Sequence, residues 1–181
     1  MDPRPSDIIA DIGCGTGSLL ALLGRTAKRP KLIGIDPDDR ILRRARRKLE
    51  AMGIVITLKQ GYLRDVRALL AGAGVNKIAS SLVFHQVPPA EKRAGFSSMY
   101  SALCPSGELH IADFGLQRTR LMQSLFRIVQ CVDGYENTQP NAEGILPSLI
   151  KEAGFAQVTE TLVIPTLTGS IYLYKAIRPP T

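Results

Sequence analysis

The chain has 181 residues, 45% of them apolar and 22% charged, and a formal net charge of +7. That length suits one domain, and the balance excludes a disordered chain. No apolar run reaches the roughly 18 to 20 residues of a membrane span, and the polar segment Met1–Pro5 lacks the apolar core of a secretion signal, so a cytoplasmic protein is expected. The three cysteines, Cys14, Cys104 and Cys131, show neither metal-ligand spacing nor a disulfide framework, and no metal is expected.

Short apolar runs alternate with helical stretches. Ile8–Ile12 reads as a buried strand running into a glycine-rich turn, and Gly17 to about Ala27 as the following helix. Lys31–Asp36 is a second strand. Asp38 can cap a basic helix that runs to about Met52. In that helix Ile41, Leu42, Ala45 and Leu49 recur at helical spacing, so the arginines of the run Arg40–Lys48 point outward as a solvated face. No aromatic residue interleaves them, and a base-stacking platform is not suggested. Ile54–Lys59 is a third strand and Leu63 to about Leu70 a short helix. Asn76–Phe84 is a fourth strand, after which Pro88 or Pro89 can open a helix to Leu103. Glu108–Asp113 is a fifth strand, Arg118–Val132 an amphipathic helix and Ala142–Ala153 another, ended by Gly154. Val158–Ile164 and Ser170–Ile177 read as a closing hairpin. Strands alternating with helices predict an α/β, doubly wound parallel sheet, and a terminal hairpin makes its last strand antiparallel.

The strongest local signal is Asp11-Ile12-Gly13-Cys14-Gly15-Thr16-Gly17, placed between a strand and a helix. Three alternate glycines let a ligand approach the main chain, and the helix start offers free N–H groups. About 20 residues on, Asp36 ends the second strand, where a carboxylate can accept both ribose hydroxyls of a nucleoside. The dinucleotide fingerprint G-x-G-x-x-G/A fails here, because Ser18 stands at its third small position. Asp11 lies where it can meet a ligand cation. S-adenosylmethionine (SAM) carries an ammonium, a carboxylate, a ribose and an adenine, and suits these features better than a pyrophosphate.

On these residues the chain resembles the class I SAM-dependent methyltransferases, and within them the small-molecule enzymes related to ubiquinone and menaquinone synthesis. Asp11–Gly17 is similar to their first motif, and Gly34-Ile35-Asp36-Pro37 to their ribose motif, whose last residue packs on adenine. Ser80–Val87 is similar to the fourth-strand motif that lines the methyl-transfer pocket. Leu103–Leu109 is similar to the turn before strand five, and Gly154-Phe155 to a C-terminal Ala-Gly-Phe segment. The resemblance implies a Rossmann-like sheet of seven strands, order 3-2-1-4-5-7-6, with strand seven antiparallel. It implies SAM as cofactor, held by Asp11, Gly13, Cys14, Gly15, Gly17, Asp36, Pro37, Gly61, Tyr62, Leu63, Ser81 and Leu82.

Several positions depart from the family pattern. Gly61-Tyr62 stands where relatives often carry Gly-Asp for the adenine amino group, which leaves that contact to the main chain, to Asp65, or missing. Asn76-Lys77 replaces the acid that often opens strand four, and Gln86 replaces a frequent second histidine. Residues 1–181 are expected to form a single domain lacking the N-terminal lid helices of many relatives, which leaves the pocket either open or covered by a second copy or a partner chain. Methyl transfer asks the protein mainly to position its reactants and exclude water. His85 is the candidate base or pocket residue, His110 reads as structural, and Arg120, Phe126, Arg127 and Tyr135 lie where relatives hold acceptors. The expected function is methyl transfer from SAM to a small-molecule acceptor, with nucleic acid not expected as a partner. The alternatives are a non-catalytic SAM-binding module, and a nucleic-acid or protein methyltransferase suggested by charge alone.

Overall fold

The structure is a computed structural model that describes residues 1–180. Its strands are β1 (Ile8–Ile12), β2 (Lys31–Asp36), β3 (Thr57–Gln60), β4 (Lys77–Ser81), β5 (Glu108–Phe114), β6 (Ala156–Thr166) and β7 (Gly169–Ile177). They form one sheet in the order β3-β2-β1-β4-β5-β7-β6. The first five strands are mutually parallel, while β7 runs antiparallel to both β5 and β6. The expected architecture is therefore the observed one.

Helices α1 (Ser18–Gly24) and α2 (Asp39–Ala51) cover one face of the sheet. Leu20, Leu23, Leu42 and Leu49 pack there on Ile9 and Leu32. On the other face lie α3 (Val66–Leu69), α4 (Pro89–Ala102) and α7 (Leu146–Glu152), where Phe96, Met99, Leu146 and Ile150 meet Ile12, Ile35, Ile78 and Ile111. Each fully buried side chain of this kind contributes roughly 1.5 to 3 kcal/mol. In α2 the Asp38 carboxylate accepts from the Arg40 and Ile41 N–H groups at 2.7 and 3.4 Å, and the arginines are exposed.

Three elements differ from their sequence-based expectations. The fourth strand stops at Ser81, because Leu82 adopts a left-handed φ of 58° and the chain turns into a short 3-10 segment, Phe84–Gln86. The third strand covers only 57–60. The helix expected over 142–153 is interrupted by Gly144 at φ 82°, leaving α7 behind it and α6 (Tyr135–Ala142) in front. Residues 135–142 carried no helical signal, because Asn, Thr and Pro dominate them. The expected 118–132 helix is α5 (Arg120–Asp133), capped by the Thr119 hydroxyl, which accepts from Met122 N–H at 3.1 Å.

Candidate active site

The carboxyl ends of β1, β2 and β4 open onto a cleft of about 540 Å³, lined by Asp11, Gly13, Cys14, Gly15, Asp36, Pro37, Ser81 and Leu82 among others. A more apolar chamber of about 350 Å³ adjoins it, lined by Pro37, Gly61, Tyr62, Leu63, Val83 and Val87 among others. Gly13, Pro37, Val83 and Val87 border both spaces. Strand order produces the cleft: β1 pairs with β2 on one side and β4 on the other, and their crossovers leave in opposite directions.

The glycine turn is built for closeness. Gly13 has φ 72°, and a Cβ there would lie 2.3 Å from the Val83 side chain. Gly15 has φ 52°, and a Cβ there would have no atom within 4 Å, so the cleft lies open above the main chain. The Gly15 N–H donates to Asp36 Oδ2 at 2.9 Å, and the Asp38 N–H donates to Asp36 Oδ1 at 3.0 Å. Asp36 thus faces the turn, with one backbone donor on each oxygen and acceptor capacity left on both.

Asp11 is 2% exposed and accepts no hydrogen bond from any described residue. It lines the cleft. Burial, reinforced by the Asp36 charge, pushes its carboxyl up to about 7. A different polar basin, at the opposite end of the sheet, shows what a self-satisfied cluster looks like. There Lys77 Nζ meets Asp7 at 2.6 Å, and Glu108 meets His110 at 2.9 Å and Lys175 at 2.7 Å. Burial raises the Glu108 carboxyl, but its bonds from Lys175 and His110 outweigh this and hold it at about 2. Asp11 has no such partner, and a cationic ligand group would supply one.

Most of the residues expected to hold the cofactor converge on these two spaces, but Gly17 does not line them, and neither does the candidate base His85. Gly17 caps α1 at φ 73°, with Leu49 and Ala45 of α2 at 3.0 and 3.4 Å from its Cβ direction, so it serves helix packing. His85 is buried behind the cleft wall. Its Nδ1 lies 2.8 Å from Asp113 Oδ1 and its Nε2 lies 3.6 Å from Asp133 Oδ2, while its ring meets Phe114 edge-on. Cys14 contributes main chain to the cleft, while its Sγ packs toward Gly34; burial raises the thiol to about 12, aided by Asp11 and Asp36. At the apolar chamber the Tyr62 N–H donates to Asp65 Oδ2 at 3.0 Å, so Asp65 is engaged with the main chain. Arg64 lies over the Tyr62 ring at 5.0 Å and pairs with Glu91. Arg127, Phe126 and Tyr135 line a separate groove between α5 and α6, and Arg120 is exposed on α5. His110 belongs to the basin at the far end.

Sequence reasoning missed Asp113 and Lys92. Asp113 is 1% exposed and Lys92 is 0% exposed. No local motif marked either, because their partners lie many residues away.

Residues 9–107 match the family model described as "Methyltransferase domain". The chain belongs to the class I SAM-dependent methyltransferases. SAM is accordingly its cofactor and methyl transfer its activity. Among curated proteins it is similar to the carboxy-S-adenosyl-L-methionine synthase of Wolinella succinogenes, 28% identical over 179 residues that cover 88% of this chain and 72% of that protein. Among solved structures it resembles an O-methyltransferase family protein from Burkholderia thailandensis, with a TM-score of 0.77, 18% identity, and coverage of 97% of this methyltransferase and 52% of that chain. It also resembles the magnesium protoporphyrin IX methyltransferase of Synechocystis PCC 6803 with bound SAH, with a TM-score of 0.72, 20% identity, and coverage of 96% and 75%. These two likenesses concern the fold. No helix among the described residues is long and apolar enough to cross a membrane.

Proposed function

We propose that residues 1–181 act as one domain that methylates a small-molecule acceptor. In this reading the methionine end of SAM lies over Gly13–Gly15, with its ammonium at Asp11 and its ribose at Asp36. The adenine lies against Pro37 in the chamber bordered by Gly61, Tyr62 and Leu63. Ser81 and Leu82 bound the methyl-transfer end. One continuous sheet supports the single domain, and the motif resemblance to quinone-type enzymes supports a small acceptor.

One observation carries this placement: Asp11 is a buried carboxylate without a protein partner, facing the cleft that the glycine turn floors. A bound ammonium would replace the missing solvation. SAM brings the activated methyl group and its leaving group. The chain holds the reactants in line and excludes water. The turn after β4 sets the wall against which the acceptor approaches. The base role expected for His85 is not part of this reading, because the ring is buried behind the wall and its Nε2, turned away from Asp113, faces Asp133 of α5 rather than the cleft.

Calorimetric titration with SAM between pH 6 and 8 tests the placement. The ionised Asp11 binds the ammonium, so affinity should fall as pH drops through about 7. Asp11→Asn should weaken binding about tenfold at pH 8, the scale of a hydrogen bond to a charged group, and flatten the pH dependence. A parent protein whose SAM affinity ignores pH in this range would remove Asp11 from the site.

A further inference from the structure

The Asp113 carboxylate does more than occupy the end of β5. Its Oδ2 accepts from the Val83 N–H at 2.9 Å and the Phe84 N–H at 2.6 Å. Its Oδ1 accepts from its neighbour's N–H, Phe114, at 2.8 Å, and lies 2.8 Å from His85 Nδ1. All four groups are satisfied by one side chain that is 1% exposed. Three of them belong to the turn that follows Leu82, a non-glycine residue held at φ 58°. Such a conformation persists only where the surroundings over-determine it. Here the Leu82 N–H donates to Ala112 O at 2.8 Å, and the next two N–H groups are taken by Asp113. The same turn presses Val83 against Gly13 and so sets the partition between the two ligand spaces.

We infer that Asp113 is a positioning residue that fixes the β4-exit wall of the cofactor cleft and sets the proton of His85 on Nδ1. A carboxylate only accepts, so the nitrogen facing it must carry the hydrogen. Nε2 is then directed to the α5 side, where Gln86 Nε2 at 3.3 Å and Asp133 Oδ2 at 3.6 Å are its neighbours. The other charged group near this cluster is the buried Lys92 on α4, which feels the Asp113 charge. The wall function rests on the reading that SAM occupies the cleft; the histidine function stands without it.

The two functions separate in variants. In Asp113→Asn the amide oxygen serves best where Oδ2 sits, since it then keeps both the Val83 and Phe84 donors. The NH₂ group takes the Oδ1 position, where the Phe114 N–H loses its acceptor and His85 Nδ1 must become one. The chain has two histidines, so ¹⁵N-histidine labelling with a His110→Gln reference assigns both rings. The ring proton of His85 should sit on Nδ1 in the parent and move to Nε2 in Asp113→Asn. SAM affinity by calorimetry should stay within about threefold in Asp113→Asn and fall about tenfold in Asp113→Ala, which frees the turn. The inference is overturned if the His85 proton stays on Nδ1 in Asp113→Asn, or if Asp113→Ala binds SAM as tightly as the parent. A parent protein that does not bind SAM would instead overturn the placement of the cofactor, and the ring signals would still decide the histidine. Should Asp113→Ala fail to fold, the Asp113→Asn ring signals and SAM affinity carry the test.

Discussion

The wall of the cleft formed by β1, α1 and β2 and the wall formed by the β4 exit, β5 and α6 are organised in opposite ways. The first is local: Asp11, the three glycines and Asp36 lie within 26 residues, and their backbone conformations follow from residue type. The second is assembled across the chain. Lys92 Nζ on α4 donates to Asn137 O and to Asn141 Oδ1, both at 2.6 Å. Asn141 Nδ2 donates to Phe114 O at 3.1 Å, and Asn137 Nδ2 donates to Gln86 O at 3.1 Å. Together with Asp113 these bonds tie α4, α6, β5 and the 84–86 turn into one polar network that is buried at Lys92, Asn141 and Asp113 and reaches the surface at Asn137 and Gln86. Such a network is strong when every member is satisfied and costly when one is removed. Local chemistry shapes the glycine-turn side of the cleft, whereas tertiary hydrogen bonding shapes the side next to it.

The sharpest way to break that contrast is at Gly15. A valine there would place branched carbons in the open cleft and force them into a left-handed φ. Gly15→Val should lower SAM affinity by more than about a hundredfold, with circular dichroism near that of the parent. Next comes Lys92. Burial lowers its ammonium to about 8, against a smaller opposing pull from Asp113. The folded state therefore binds fewer protons than the unfolded state between about pH 8 and 10.5. Stability should rise across that window, on the order of 2 kcal/mol. Lys92→Met should be less stable overall, because two buried acceptors lose their donor, and urea melts should show that its pH slope in this window is gone. Asp36→Ala should weaken SAM binding by roughly 1 to 3 kcal/mol, measured by calorimetry; parent-like binding would take the ribose away from it. The smallest effect belongs to α2: Arg44→Ala with Arg47→Ala should change stability by less than about 0.5 kcal/mol in thermal melts, since both are exposed and outside any ion pair among the described residues.

This division also explains what could be read from the sequence. Period and turn chemistry located all seven strands, because each depends on neighbours in the chain, while the strand order came from the family resemblance. Gly13, Gly15 and Asp36 were legible for the same reason. Leu82 was not: nothing in Ser-Leu-Val announces a left-handed residue, and the strand was extended through Phe84. The bonds that impose the turn come from Ala112 and Asp113, some thirty residues on. No pattern announces helix α6, since Asn137, Thr138 and Pro140 are poor helix formers, and it is tied to α4 by the Lys92–Asn141 hydrogen bond. Gly17 resembled a ligand contact because it completes the motif, yet its missing Cβ makes room for α2. His85 fell in the right segment, but its burial behind the wall depends on a carboxylate that pattern alone could not bring near.

Asp36 holds the glycine turn and, in the proposed placement, meets the sugar of the cofactor. Each of its oxygens already accepts one amide hydrogen, from Gly15 and from Asp38. Its rotamer is therefore locked before any nucleoside arrives, with a lone pair left on each oxygen for a hydroxyl. Association needs no rearrangement at this point, so little ordering entropy is spent there on docking. An Asn at 36 would disturb the empty protein as well as the loaded one, because its amide NH₂ would confront one of those two backbone donors.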